Sequence, residues 1–243
     1  MHNLFSIARK STKETDELGI VDEHTPFAIR EAYRSLYSNV LYLNIEDKCK
    51  KIAITSAISN EGKTTISTNL SINLAQNLDE KRVLLIDTDM RKPKVSKLLG
   101  LDDSEHGLSE YLAGIDDKPN FQYIEKHRLT VLGAGGQNVN PAKLISSQKM
   151  LTLIKDCEEQ FDYVIIDTPP VNIVTDAVLL QGIVNGYIIS TRADYSNVNE
   201  LTQCVNTLNR VGAEIFGVVL SSVSIKAGRK AYSKYGYNRY SGK

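Results

Sequence analysis

"AISNEGKT", Ala57 to Thr64, lies between the β-branched run "KIAITS" and the helix-forming stretch "TTISTNLSINLAQNL". A strand, a glycine-containing loop and a helix that opens on Lys and Thr form the context of a phosphate-binding loop. Backbone N–H groups of such a loop and the positive end of its helix converge on phosphate oxygens, and Lys63 adds a mobile charge. Thr64 can offer its hydroxyl to Mg²⁺. This reading gives the phosphate contacts to Ser59, Asn60, Glu61, Gly62, Lys63, Thr64 and Thr65.

Working outward, "VLLIDTDMRKP" closes an apolar strand with Asp87 and Asp89, which strand alternation turns to one side. "DYVIIDTPP" closes another with Asp167, and Pro169 and Pro170 then end the pairing. "LTVLGA", "GYIIST" and "AEIFGVVLSS" complete the strand candidates. Apolar runs without in/out alternation belong to strands buried on both faces. The expected fold is α/β: a P-loop NTPase-like, mainly parallel sheet with helices on both faces. Ligands of such sheets bind outside the carboxyl ends of the strands, so Asp87, Asp89 and Asp167 can converge on metal and phosphate. Any one of them alone could equally be a helix cap.

Residues 1–25 are polar and aperiodic and read as an extended or flexible arm. Pro26 then opens an amphipathic helix with apolar residues at Ile29, Tyr33, Leu36, Val40 and Leu43. One domain over 26–223 follows, and 224–243 forms a flexible tail with six basic residues, no acidic ones and the tyrosines Tyr232, Tyr235, Tyr237 and Tyr240. Lys plus Arg and Asp plus Glu balance at 29 each, so no global field points to nucleic acid. Cys49, Cys157 and Cys204 form no C-x-x-C pair, and His2, His24, His106 and His127 lack metal-ligand spacing. No apolar run reaches the ~20 residues of a membrane span, and a cytoplasmic chain is expected.

"REAYRSLYSNV", "LLIDTDMRKP", "DYVIIDTPP" and the tyrosine tail together resemble the bacterial tyrosine kinases, in particular the separate kinase chains of Gram-positive capsule and exopolysaccharide systems. The resemblance implies ATP and Mg²⁺, with Lys63 and Thr64 on phosphate and metal. It implies a catalytic set of Lys63, Asp87 and Asp89, with Asp87 as the base near the incoming hydroxyl. Thr64, Asp87, Asp89 and Asp167 would make up the metal shell. It also implies transfer to Tyr232, Tyr235, Tyr237 and Tyr240 of a neighbouring subunit, and a homo-oligomer built on the Glu31 and Arg34 face. Its partners would be a transmembrane adaptor of the polysaccharide co-polymerase type, which recruits the chain to the inner face of the membrane, and a cognate tyrosine phosphatase.

Four positions depart from the family pattern: Tyr37 stands for Arg, Asn60 for Gly, Ser59 for Pro, and Ser221 for Asn near the adenine base. Two other functions use the same motifs. One is a ParA- or MinD-like partitioning or positioning ATPase, whose loop carries an extra lysine near its start that "AISNEGKT" lacks. The other is a nucleotide-controlled scaffold with the tail as a docking strip.

Overall fold

The computed structural model describes residues 3–9, 19–101, 106–136 and 140–224. Its elements are β1 (Asn3–Arg9), α1 (Phe27–Leu41), β2 (Lys50–Ser56), α2 (Lys63–Asn77), β3 (Val83–Asp87), α3 (Val95–Leu99) and α4 (Leu108–Ala113). There follow β4 (Gln122–Ile124), β5 (Leu129–Leu132), α5 (Pro141–Ile145), α6 (Gln148–Gln160), β6 (Tyr163–Asp167), β7 (Gly186–Arg192), α7 (Val198–Arg210) and β8 (Ile215–Ser224). They form one eight-stranded sheet in the order β1-β8-β7-β2-β6-β3-β5-β4. Every pairing is parallel except the one between β4 and β5.

Strand alternation accounts for the layers. Val83, Leu85, Tyr163 and Ile165 face a core shared with α1 and α2, while Leu84, Ile86, Val164 and Ile166 face one shared with α4, α5 and α6. On the latter side Ala53, Tyr187 and Ile189 pack under α7. Helix α1 buries Ile29, Ala32, Tyr33, Leu36 and Val40, the spacing of a single helical stripe. Ile29, Leu36 and Val40 each contribute about 1.5–3 kcal/mol by leaving water. The sheet is thus covered on both faces, as expected.

Two strands escaped the sequence reading. β4 is three residues long with Tyr123 exposed, too short to carry a period. β1 falls within the arm expected over 1–25 and instead pairs along β8, from Asn3 beside Gly217 to Arg9 beside Ser224. The tail boundary also moves slightly, because Ser224 still belongs to β8. Residues 225–243, with Tyr232, Tyr235, Tyr237 and Tyr240, lie outside the described residues. Among the described residues no helix is long and apolar enough to cross a membrane.

The topology sets the site. β6 lies between β2 and β3, with Ile54 and Asp87 both in register with Asp167. The phosphate loop and the two aspartate-bearing strand ends therefore meet at one edge of three adjacent strands.

Candidate active site

The loop between β2 and α2 bends through Asn60 (φ 63°) and Gly62 (φ 85°). Asn tolerates the left-handed region better than most residues, so it serves here without glycine. At Gly62 a side chain would meet both the strained backbone and Ser221 Oγ at 3.3 Å. Helix α2 then starts at Lys63 with its N–H groups directed at the loop.

Lys63 Nζ donates to Asp89 Oδ2 at 2.8 Å, and Thr64 Oγ1 donates to Asp167 Oδ2 at 2.7 Å. Asp87 Oδ1 accepts from the Asp89 N–H at 2.9 Å, while Oδ2 accepts from the Lys94 and Val95 N–H groups at 3.2 and 3.1 Å. Three carboxylates thus share one ammonium. Burial, and then the neighbouring Asp167 charge, push Asp87 up to about 7. Burial also raises Asp167. For Lys63, burial opposes the charge, but Asp167 and Asp89 outweigh it and the ammonium is held more firmly.

A cleft of about 970 Å³ opens above this cluster, and Ser59, Asn60, Gly62, Lys63, Thr64, Thr65 and Asp89 line it. That volume suits a nucleotide-sized ligand. Two expectations change here. Asp87 does not line the cleft: its side chain is fully buried and both oxygens are taken by backbone N–H groups. A base must come within hydrogen-bond reach of the hydroxyl, and Asp89 is the carboxylate that reaches the opening.

Glu61 likewise turns away from phosphate. It is buried, accepts from the Ile58 N–H at 2.9 Å and takes a hydrogen bond from the Ser196 hydroxyl. Its carbonyl accepts from Ser190 Oγ and, at 3.2 Å, from Ser221 Oγ. Glu61 is therefore a peg that fixes the loop to β7, β8 and the turn after β7, and burial raises its carboxyl. Ser221 acts in the same clasp.

Three further contacts had no signal in the sequence reading. Arg91 grips the buried Asp176 with two bonds, Nε to Oδ2 at 2.7 Å and Nη2 to Oδ1 at 3.1 Å, tying the segment after β3 to the one after β6. Tyr33 of α1 is buried and donates to the Thr65 carbonyl at 3.4 Å, placing α1 against the start of α2. Arg192, at the end of β7, sits over the Tyr195 ring at 5.4 Å, and both line the cleft.

On α1, Glu31 and Arg34 form an exposed i,i+3 pair at 3.4 Å. Tyr37 does not extend that face; its hydroxyl turns to the Asn77 carbonyl at the end of α2, at 3.4 Å.

Of the four residues expected around the metal, Thr64, Asp89 and Asp167 fit Mg²⁺, whereas Asp87 has both oxygens taken by backbone N–H groups. Asp167 Oδ1 is buried without a hydrogen-bond partner, and the cluster carries more negative charge than Lys63 offsets. Among the described residues no group of three or more His, Cys, Asp or Glu side chains forms a ready-made metal cage. Mg²⁺ usually takes one or two carboxylates and completes its shell with water and substrate phosphates.

Residues 49–217 match the AAA domain family. Tyrosine-protein kinase CpsD of Streptococcus agalactiae is 32% identical over 80% of this chain and 82% of its own length. Tyrosine-protein kinase YwqD of Bacillus subtilis is 30% identical over 85% of each. Tyrosine-protein kinase etk of Escherichia coli is 33% identical over 95% of this chain but only 31% of its own. The solved kinase domain of Escherichia coli ETK superposes with a TM-score of 0.82 at 27% identity, covering 93% of this chain and 92% of that one. The septum site-determining protein MinD of Pyrococcus horikoshii shares the fold alone, with a TM-score of 0.59 at 23% identity over 75% of this chain and 76% of its own. With a phosphate loop, two aspartate-bearing strand ends and near full-length kinase relatives in agreement, the chain belongs to the family of bacterial tyrosine-protein kinases.

Proposed function

We propose that the chain transfers the γ-phosphoryl group of ATP to tyrosine hydroxyls, including Tyr232, Tyr235, Tyr237 and Tyr240 of a neighbouring copy. The observation that carries this reading is the paired contact of Lys63 with Asp89 and Thr64 with Asp167 on the floor of an open cleft. Lys63 exchanges Asp89 for β- and γ-phosphate oxygens when nucleotide enters, and the loop N–H groups hold those oxygens in line. Asp89, released from Lys63, receives the tyrosine proton as the hydroxyl oxygen bonds to the γ-phosphorus. The bond from that phosphorus to the bridging oxygen breaks, and ADP leaves. Mg²⁺, when bound, neutralises charge on the transferring phosphoryl oxygens. Thr64 and Asp167 would hold it, with Asp87 behind them fixing the segment that carries Asp89.

The same reading places the chain in capsule or exopolysaccharide synthesis beside a membrane adaptor, opposed by a tyrosine phosphatase. The exposed Glu31–Arg34 pair supports assembly through α1, and Tyr37 is not expected to contribute to that contact.

The test mixes two chains. One is Lys63→Met with its four tail tyrosines; the other is active, with Tyr232, Tyr235, Tyr237 and Tyr240 all Phe. Phosphotyrosine on the inactive chain is the expected result. An unlabelled inactive chain, at concentrations where the native protein labels itself, would refute transfer between copies.

A further inference from the structure

The lining of the cleft is mixed in chemistry. "MRKPKVSKLLGL", residues 90–101, contains four cations and no acid, and Arg91, Lys92, Lys94 and Lys97 all line the cleft as a basic wall. Pro169 and Ile173 line it as well, with Ile173 56% exposed. Asp176 fixes Arg91 through two of its five N–H groups, and the side chain remains 42% exposed. The basic wall begins two residues beyond Asp89, the carboxylate at the cleft floor. Its charge is therefore more extensive than nucleotide phosphates held by Lys63 and the loop require.

Resting on the kinase reading, we infer that the basic wall from Arg91 to Lys97 reads negative charge on the acceptor segment, so that tyrosines in acidic or already phosphorylated stretches are preferred. The acceptor ring packs on Pro169 and Ile173 while flanking carboxylates or phosphates meet the cations. The consequence for self-modification is specific. The unmodified tail has six basic residues and no acidic one, so the wall repels it. Each phosphate adds about −1.5 to −2 charges, and the first transfer converts the tail into a better substrate for the next.

The experiment uses the full chain with Mg²⁺-ATP and synthetic peptides. One pair carries a single tyrosine flanked by Glu or by Lys. A second pair spans residues 224–243 with position 240 as phosphotyrosine or as Phe, leaving the same three acceptors. At low salt, kcat/KM is expected to be about tenfold higher for the Glu-flanked and the phosphorylated peptides, the size of two or three exposed ion pairs. The double variant Lys92→Glu/Lys97→Glu should erase that preference through KM while ATP affinity holds. A preference confined to the phosphorylated peptide would overturn the acidic-residue half of the inference, and one confined to Glu the phosphate half. Equal rates for acidic and basic peptides would overturn it entirely while leaving the kinase reading intact. So would a double variant whose loss appears as weaker ATP binding. Absence of phosphotyrosine on every peptide and on the chain itself would remove the kinase reading as well.

Discussion

Lys63→Met is expected to lower tyrosine phosphorylation at least about 10²–10³-fold and to weaken ATP binding in parallel. Lys63 is 8% exposed and is the cation that faces Asp89, Asp87 and Asp167. Met matches the length of the stem but brings no charge to the β- and γ-phosphates. The same substitution leaves three buried carboxylates without their ammonium, a change that costs about 3–5 kcal/mol when a buried pair is broken. Thermal unfolding of the variant must therefore accompany the assay. A folded Lys63→Met chain that phosphorylates at the native rate would take the phosphate loop out of the mechanism.

Asp89→Asn should separate binding from transfer. The substitution frees Lys63 from its 2.8 Å ion pair, so nucleotide affinity is expected to hold or rise. An amide fills the same space but cannot accept the hydroxyl proton, and transfer is expected to fall by about 10²–10⁴. Titration with a fluorescent ATP analogue beside single-turnover phosphorylation checks both halves. Equal losses in affinity and rate would make Asp89 a ground-state ligand of the metal and return the proton to another group.

The parts of the fold legible in the sequence were those with local causes. Strands such as "YVIID" are buried along their whole length and read as apolar runs. Helix α1 showed its stripe through Ile29, Tyr33, Leu36 and Val40. The insertion of β6 between β2 and β3 has no local signature, because it depends on a strand more than 70 residues away from either partner choosing its neighbours. Residue type likewise misled at Glu61 and Asp87. A carboxylate in a phosphate loop looks like a metal or ligand group, but burial and the hydroxyls of Ser190, Ser196 and Ser221 show that Glu61 clasps the loop. Strand alternation put Asp87 and Asp89 on one side, but it could not rank their depth. That depends on the Lys94 and Val95 N–H groups folding back over Asp87. The Arg91–Asp176 grip joins residues 85 apart in sequence and was beyond any pattern reading.

Departure of the γ-phosphoryl group on tyrosine rather than on water separates a kinase from a positioning ATPase with the same sheet and loop. The direct measurement is the ratio of phosphotyrosine to ADP formed by the purified full chain with Mg²⁺-ATP, with the modified sites mapped by mass spectrometry. Early ADP release is expected to be matched by phosphotyrosine on Tyr232, Tyr235, Tyr237 and Tyr240. Sustained ADP and free phosphate with no phosphotyrosine on the chain would contradict it.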